Sequence, residues 1–191
     1  MGKRQLRVST ALQPVPAVLV TCAGAQGRAN IITLAWTGVA CSVPPMLTIA
    51  VRPERFSHML IEDSREFVVN VPSADLVWAV DYCGTRSGRA EDKFAGAGLT
   101  ALPASKVKAP LIAECPVNIE CVVRHAMRLG SHDLFVGEVV AVHADESVLD
   151  ESGAISAAKV NPLAYAPIDY WSLGSKLATH GYSRKASRPV S

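Results

Sequence analysis

The chain has 191 residues, 49% of them apolar and 19% charged, which is long enough for one domain with a sizeable interior and too apolar for an intrinsically disordered protein. The charged share lies below the roughly 25% of average soluble domains, so extra surface is expected to be covered, as in a homo-oligomer. Nineteen Lys and Arg against seventeen Asp and Glu leave a net charge of +2, too little to neutralise many phosphates along a polyanion, and nucleic acid is therefore excluded as the expected partner.

In chain order, residues 17–22 (AVLVTC) predict a buried strand, followed by a turn through Gly24 and Gly27 and a second apolar run over 31–35. Residues 46–51 (MLTIAV) predict a third strand, entered through Pro44 and Pro45 and stopped by Pro53. Ser57 is a good N-cap for a short helix over 57–63, since Met59, Leu60 and Ile61 follow it. Phe67, Val69 and Val71 alternate with Val68 and Asn70, so 66–71 predicts a strand ended by Pro72, after which Ser73 caps a helix to about Tyr82. Residues 83–89 (CGTRSGR) are expected to form a polar loop, and 90–94 a helical turn finished by Gly96 or Gly98. Two alternating runs, 117–125 and 134–143, flank a polar turn over 128–133 and predict an antiparallel hairpin. Past Asp145 the pattern is loop-like, yet residues 165–182 are too aromatic for a disordered tail and are expected to pack on the body or on a second subunit.

Strands outnumber helices at short spacings, which favours a closed or nearly closed antiparallel barrel over a doubly wound sheet. Gly96, Gly98 and Ala101 satisfy G-x-G-x-x-A, but no strand precedes them, so the dinucleotide-binding reading fails. The uncharged stretch between Arg28 and Arg52 is long enough to cross a bilayer, but Asn30, Thr33, Thr37, Ser42 and the Pro44, Pro45 pair exclude that. Pro14 and Pro16 interrupt any signal-peptide core, and a cytoplasmic location is expected by default. Five cysteines without C-x-x-C, and five histidines without metal spacing, argue against a disulfide framework or a metal site. The basic residues Lys3, Arg4, Arg7, Arg184, Lys185 and Arg188 lie near the ends and are expected to fray in water.

No acid precedes Glu54, whereas Lys3, Arg4, Arg7, Arg28 and Arg52 do, so the first quarter suits a small anionic ligand. Residues 28–45 offer neutral donors, acceptors and one flat ring, the mixture that a planar heteroaromatic ligand requires, although Trp36 could equally fill a core. In 87–94 (SGRAEDKF) a glycine lets backbone N–H groups approach an anion, with Arg89 and Lys93 beside it. The bland alternative pairs Lys93 with Glu91 or Asp92 on a solvated surface. Arg55 and Ser57, at a strand exit and helix start, form a third place that welcomes an anion.

These segments carry a resemblance. PVPAVLVTCAGAQGRANIITLAWTG at 14–38, RPERFSHMLI at 52–61, FVVNVPS at 67–73, SGRAEDKF at 87–94, ECPVNIEC at 114–121, LGSHDLFVGEVVAVHAD at 129–145 and PIDYWSLGSKLATHGYS at 167–183 together resemble the flavin reductase-like family, nearest its flavoredoxin branch. The resemblance implies a mainly β fold, a six-stranded antiparallel Greek-key split barrel with a few peripheral helices, as a single domain over 1–191 with a packed C-terminal extension from about residue 160. It further implies a homodimer binding one FMN per subunit near the subunit interface. Asn30, Thr33, Ala35, Trp36 and Thr37 would run along the isoalloxazine and ribityl chain, and Arg55, Ser57, Ser87, Gly88 and Lys93 would gather at the phosphate. His132 in GSHDLF matches the family position near the expected nicotinamide face, the alternative being a surface turn histidine. Cys41, Cys83 and Cys121 are expected to be small buried side chains and not redox partners. NAD(P)H is then the expected reductant, with a flavin or a protein as acceptor. An FMN electron carrier fed by a protein donor, or a flavin-storage module without turnover, are the competing readings.

Overall fold

The computed structural model describes residues 2–24 and 27–184; Lys185 and Arg188, expected to fray, lie outside the described residues. Strand β1 (Val15–Pro16) leads into β2 (Val18–Ala23) and β3 (Ala29–Leu34), joined by a turn in which Gly24 N donates to Arg28 O. Next come β4 (Thr37–Ser42), β5 (Pro45–Val51), α1 (Phe56–Ser64) and β6 (Glu66–Val71). A single 3₁₀ turn, Ala74–Leu76, precedes α2 (Val77–Thr85), and α3 (Lys93–Ala97) follows a short loop. The short strands β7 (Ala101–Leu102) and β8 (Leu111–Ile112) lead to the long pair β9 (Val117–Arg128) and β10 (Asp133–Ala144). After α4 (Ala157–Val160) the strands β11 (Leu163–Tyr165) and β12 (Tyr170–Ser172) complete the fold.

The principal sheet is antiparallel throughout, in the order β3-β2-β6-β9-β10-β5-β4. Trp36 joins the end of β3 to β4, and Ala50 N of β5 donates to Trp36 O at 2.8 Å, which carries the β4–β5 ladder up to the end of β3. This is a mainly β split barrel with a few helices. It has seven strands where six were expected, the addition being β4, an exposed edge strand whose sequence TGVACS shows no apolar alternation.

The barrel is filled by Val18, Val20, Ile49, Phe67 and Phe135, and α1 seals one end with Leu60 and Ile61. On the outer face of β2 and β3, Leu19 and Ile31 meet Ala79, Val80 and Cys83 of α2. Both faces of β2 are therefore buried, which is why the strand is apolar without alternation. Each fully buried Leu or Ile contributes roughly 1.5–3 kcal/mol of transfer free energy to holding these elements in place.

Several boundaries depart from expectation. Arg55, not Ser57, occupies the N-cap of α1, because the Ser57 hydroxyl is taken by Asn30. Ser73 makes no side-chain cap, and α2 runs three residues past Tyr82, shortening the expected loop. The cap of α3 is Asp92, whose carboxylate accepts from Phe94 N and Ala95 N, and Gly98 ends it at φ 67°, a left-handed conformation that glycine adopts freely. The hairpin strands extend to Arg128 and start at Asp133, leaving a four-residue turn closed by Leu129 N to His132 O. Of the aromatic C-terminal segment, β11 pairs with β1 on one side and β12 on the other in a small separate sheet, whereas Leu177 beyond them is 96% exposed. No helix among the described residues is long and apolar enough to cross a membrane.

Candidate functional site

Two cavities meet where β3, the start of α1 and the end of α2 converge. The narrow one, about 210 Å³, lies between Asn30 of β3, the first turn of α1 and residues 86–89. The wide one, about 580 Å³, continues along Thr33, Ala35 and Trp36 to His132. Ile32, Arg55 and Gly84 line both, so the two form one bent groove, within the size range of small-molecule sites.

The narrow end is cationic. Arg55, Arg86, Arg89 and Lys93 line it, with Glu54 as the single acid on its wall. The N-terminus of α1 adds its positive dipole end. Asn30 and Ser57 are buried there, with Asn30 Nδ2 donating to Ser57 Oγ at 2.8 Å. Gly88 presses so closely that a Cβ would collide with Asn30 Oδ1, so the backbone of 87–89 reaches the cavity only because no side chain intervenes. Lys93 lines the cavity but is no free point charge. Its ammonium is buried and donates to Ile31 O at 2.8 Å and Cys83 O at 2.7 Å, committing two of its three donors. Burial lowers its pKa below the usual 10.5. The expected alternative, pairing with Glu91 or Asp92, is also overturned, since Glu91 accepts from Tyr82 OH and Asp92 caps α3.

The wide end is aromatic, with Arg52, Arg55 and Asp81 as its charged lining. Trp36 is 45% exposed, so it is a wall and not core filling. Its ring lies parallel to that of His132, at a centroid distance of 6.2 Å and an interplanar angle of 4°. Burial, followed by the charge of Arg52, lowers the His132 pKa below the usual 6.5, so the imidazole is neutral at pH 7. At the neighbouring residue, Asp133 Oδ2 at the start of β10 lies 2.8 Å from His58 Nε2 of α1, tying the hairpin tip that carries His132 to the helix that carries Ser57 and is capped by Arg55. Tyr165, Tyr170 and Ile168 close the opposite side.

Of the expected residues, the narrow cavity gathers Asn30, Arg55, Ser57, Ser87, Gly88 and Lys93, and the wide one Thr33, Ala35, Trp36 and His132. Asn30 thus stands at the cationic end and not beside the ring-sized space expected for it. Thr37 lines neither of these two cavities: its hydroxyl donates to Thr48 O at 2.8 Å, and it lines a third cavity of about 540 Å³ with residues 9–13, which adjoins the wide one through Ala35, Trp36 and Tyr165. The Thr33 hydroxyl is likewise spent on Val80 O. Arg86, Tyr165, Tyr170 and Asp81 line the groove without having been singled out. Arg86 belongs to a basic run visible in the sequence; Tyr165 and Tyr170 come from the aromatic segment that was expected to pack on the body, but their place at the groove depends on topology.

Four of the five cysteines, Cys22, Cys83, Cys115 and Cys121, are buried. Burial pushes the thiols of Cys83 and Cys121 up to about 11 and about 12, so both stay protonated at neutral pH. Cys41 is half-buried on the edge strand and not in the core as expected. No cluster of His, Cys, Asp or Glu among the described residues is arranged to hold a metal ion.

The family model for the flavin reductase like domain matches residues 11–174. The chain belongs to the flavin reductase-like family. Among its members, an uncharacterized protein of Pyrococcus abyssi is 36% identical over 154 residues, covering 81% of this chain and 87% of that protein. The flavoredoxin of Desulfovibrio vulgaris (Miyazaki F) superimposes with a TM-score of 0.90 at 34% identity, over 96% of this chain and all of that one. The flavoredoxin from Methanosarcina acetivorans follows with a TM-score of 0.85 at 27% identity, over 96% of this chain and 98% of that one.

Proposed function

We propose that this member of the flavin reductase-like family binds FMN in the bent groove and passes electrons from NAD(P)H through it to a flavin or protein acceptor. The observation that carries the reading is the groove's polarity: a small cavity ringed by four cations opens into a larger one walled by Trp36, His132, Tyr165 and Tyr170. A phosphate monoester on a planar ring system matches both halves at once. Gly88 fits the same reading, because its missing side chain lets the 87–89 amides reach the anion.

Bound flavin supplies hydride acceptance and release of electrons singly or in pairs. The chain's own residues do the rest. Arg55, Arg86 and Arg89, together with the helix start, hold the phosphate, and Lys93 braces the floor by pinning Ile31 and Cys83. Ile32 and Thr33 direct the chain between the two ends, and Ala35 and Trp36 border the ring. Neutral His132 stands at the open face, where it offers a hydrogen-bonding edge without adding charge next to an approaching nicotinamide. No acid or base triad is required, since the hydride comes from the nicotinamide and the proton that accompanies it comes from solvent at the open groove.

The low charged fraction, the exposed Val39 and Val43 on and beside β4 and the exposed Trp171 near the wide mouth support a homodimer that buries this side of the groove. Five unpaired cysteines suit a reducing compartment such as the cytoplasm. Anaerobic mixing of the FMN-loaded protein with NADH or NADPH tests the reductase reading: loss of the yellow absorbance is expected with at least one of them. Bound flavin that neither nicotinamide bleaches replaces it with an electron carrier served by a protein donor.

A further inference from the structure

We propose that Arg28 is a clasp that holds residues 86–89 shut over the cationic cavity, and that it thereby sets how long a phosphate-bearing flavin stays bound. The inference rests on the FMN reading above and extends it to cofactor residence. Arg28 does not line the cavity, so it acts as a positioning residue and not as a ligand of the phosphate. Its Nη2 donates to Gly88 O across 60 positions of sequence. Its guanidinium also lies 4.9 Å from the ring centroid of Phe56, over which Arg89 is placed as well, at 5.4 Å. Phe56 is the first residue of α1 and itself lines the cavity, so both guanidinium groups are held against the element that forms the opposite wall.

The other hydrogen bonds of this segment do not attach it to the barrel. Arg89 N reaches only Ser87 Oγ, Ala90 N and Glu91 N reach only Ser87 O, and Arg86 N closes the last turn of α2. Among the described residues, the Arg28 to Gly88 contact is the one hydrogen bond from the barrel to 87–89. Arg28 is well placed for that task because β3 begins at the next residue and the Gly24 to Arg28 backbone bond fixes its origin.

Charge makes the tether consequential. Arg55, Arg86, Arg89 and Lys93 converge with only Glu54 among them, and their mutual repulsion spreads the segment unless an anion neutralises it or a bond restrains it. With a phosphate in place both conditions hold, and release of the ligand requires the clasp to open. Removing Arg28 eliminates the restraint without deleting any group that touches the phosphate.

The test uses the full chain loaded with FMN and follows recovery of flavin fluorescence after dilution into an excess of a flavin scavenger, for the wild type, Arg28→Ala and Arg28→Lys. Riboflavin, which lacks the phosphate, is titrated in parallel, and the unfolding midpoint of the flavin-free proteins is recorded. The expected result is FMN dissociation about tenfold faster or more in Arg28→Ala, the scale of one lost charge-assisted hydrogen bond. Arg28→Lys falls between the two, because an ammonium keeps the charge but loses the planar fork and the stacking on Phe56. Riboflavin affinity and the unfolding midpoint stay unchanged, since Arg28 is exposed and does not line the wide cavity. An unchanged FMN dissociation rate in Arg28→Ala, in a wild type that does bind FMN, overturns the clasp alone, as does an equal loss of riboflavin affinity. A wild type that takes up no FMN overturns the clasp together with the reading beneath it.

Discussion

Gly88 and Lys93 differ from ordinary surface residues in that each shapes the groove through the backbone. At Gly88 even one methyl group would collide with Asn30 Oδ1, so Gly88→Ala must either displace 87–89 or break the Asn30 to Ser57 hydrogen bond, and both disturb the cationic cavity. FMN affinity is expected to fall by roughly 1–3 kcal/mol, the scale of charge-assisted hydrogen bonds to the phosphate, read by fluorescence titration. Lys93→Ala has two effects, since it removes a cation from the cavity and leaves the buried carbonyls of Ile31 and Cys83 without a donor. We expect about 2–4 kcal/mol lower stability in urea unfolding beside weaker FMN binding. A variant that loses FMN with full stability contradicts the bracing role. Both residues were legible in the sequence, because a glycine beside cations announces an anion site. That Lys93 points inward was not, since it depends on where the ends of β3 and α2 lie.

Among the elements, the clearest case of a sequence pattern deciding structure is β6, whose alternation and terminal Pro72 predict the observed span, Glu66–Val71. β4 is the counter-example: an edge strand exposed on much of its length has no buried face to impose a period, so it left no pattern to read. The loop before β8 is held by another device that sequence alone does not display. Glu120 of β9 is fully buried, yet accepts hydrogen bonds from Ser105 N, Ser105 Oγ, Lys106 N, Val107 N and His143 Nε2. Burial raises its pKa, but these donors outweigh it and hold the carboxyl at about 2, below its usual 4.5. The carboxylate therefore stabilises the fold fully above about pH 4.5, and this contribution is lost as the pH falls towards about 2. Glu120→Gln is expected to lower stability at pH 7 by ~2 kcal/mol or more and to flatten the loss between these pH values. Denaturant midpoints across that range check it, and an unaltered acid profile in the variant would show that the loop is held by other means.

At the scale of the whole molecule, the barrel is the scaffold and the groove lies where its split edge meets α1, α2 and the C-terminal strands. The order of motifs along the chain made the fold and the cationic end legible. The far wall was legible only in part: the aromatic segment was expected to pack, but that Tyr165 and Tyr170 meet Asp81 at the groove is set by topology and not by spacing. The exposed edge of β4 calls for cover, and sedimentation equilibrium is expected to return twice the chain mass of 20.3 kDa; a monomer at micromolar concentration would leave that edge unexplained. All of the proposed chemistry depends on one groove holding one FMN by its phosphate and its ring. Titration of the flavin-free protein with FMN, followed by flavin fluorescence, tests this most directly. Saturation near one FMN per chain, with riboflavin binding more weakly, is the predicted result, and no uptake of FMN at any concentration in the range of small-molecule affinities would contradict it.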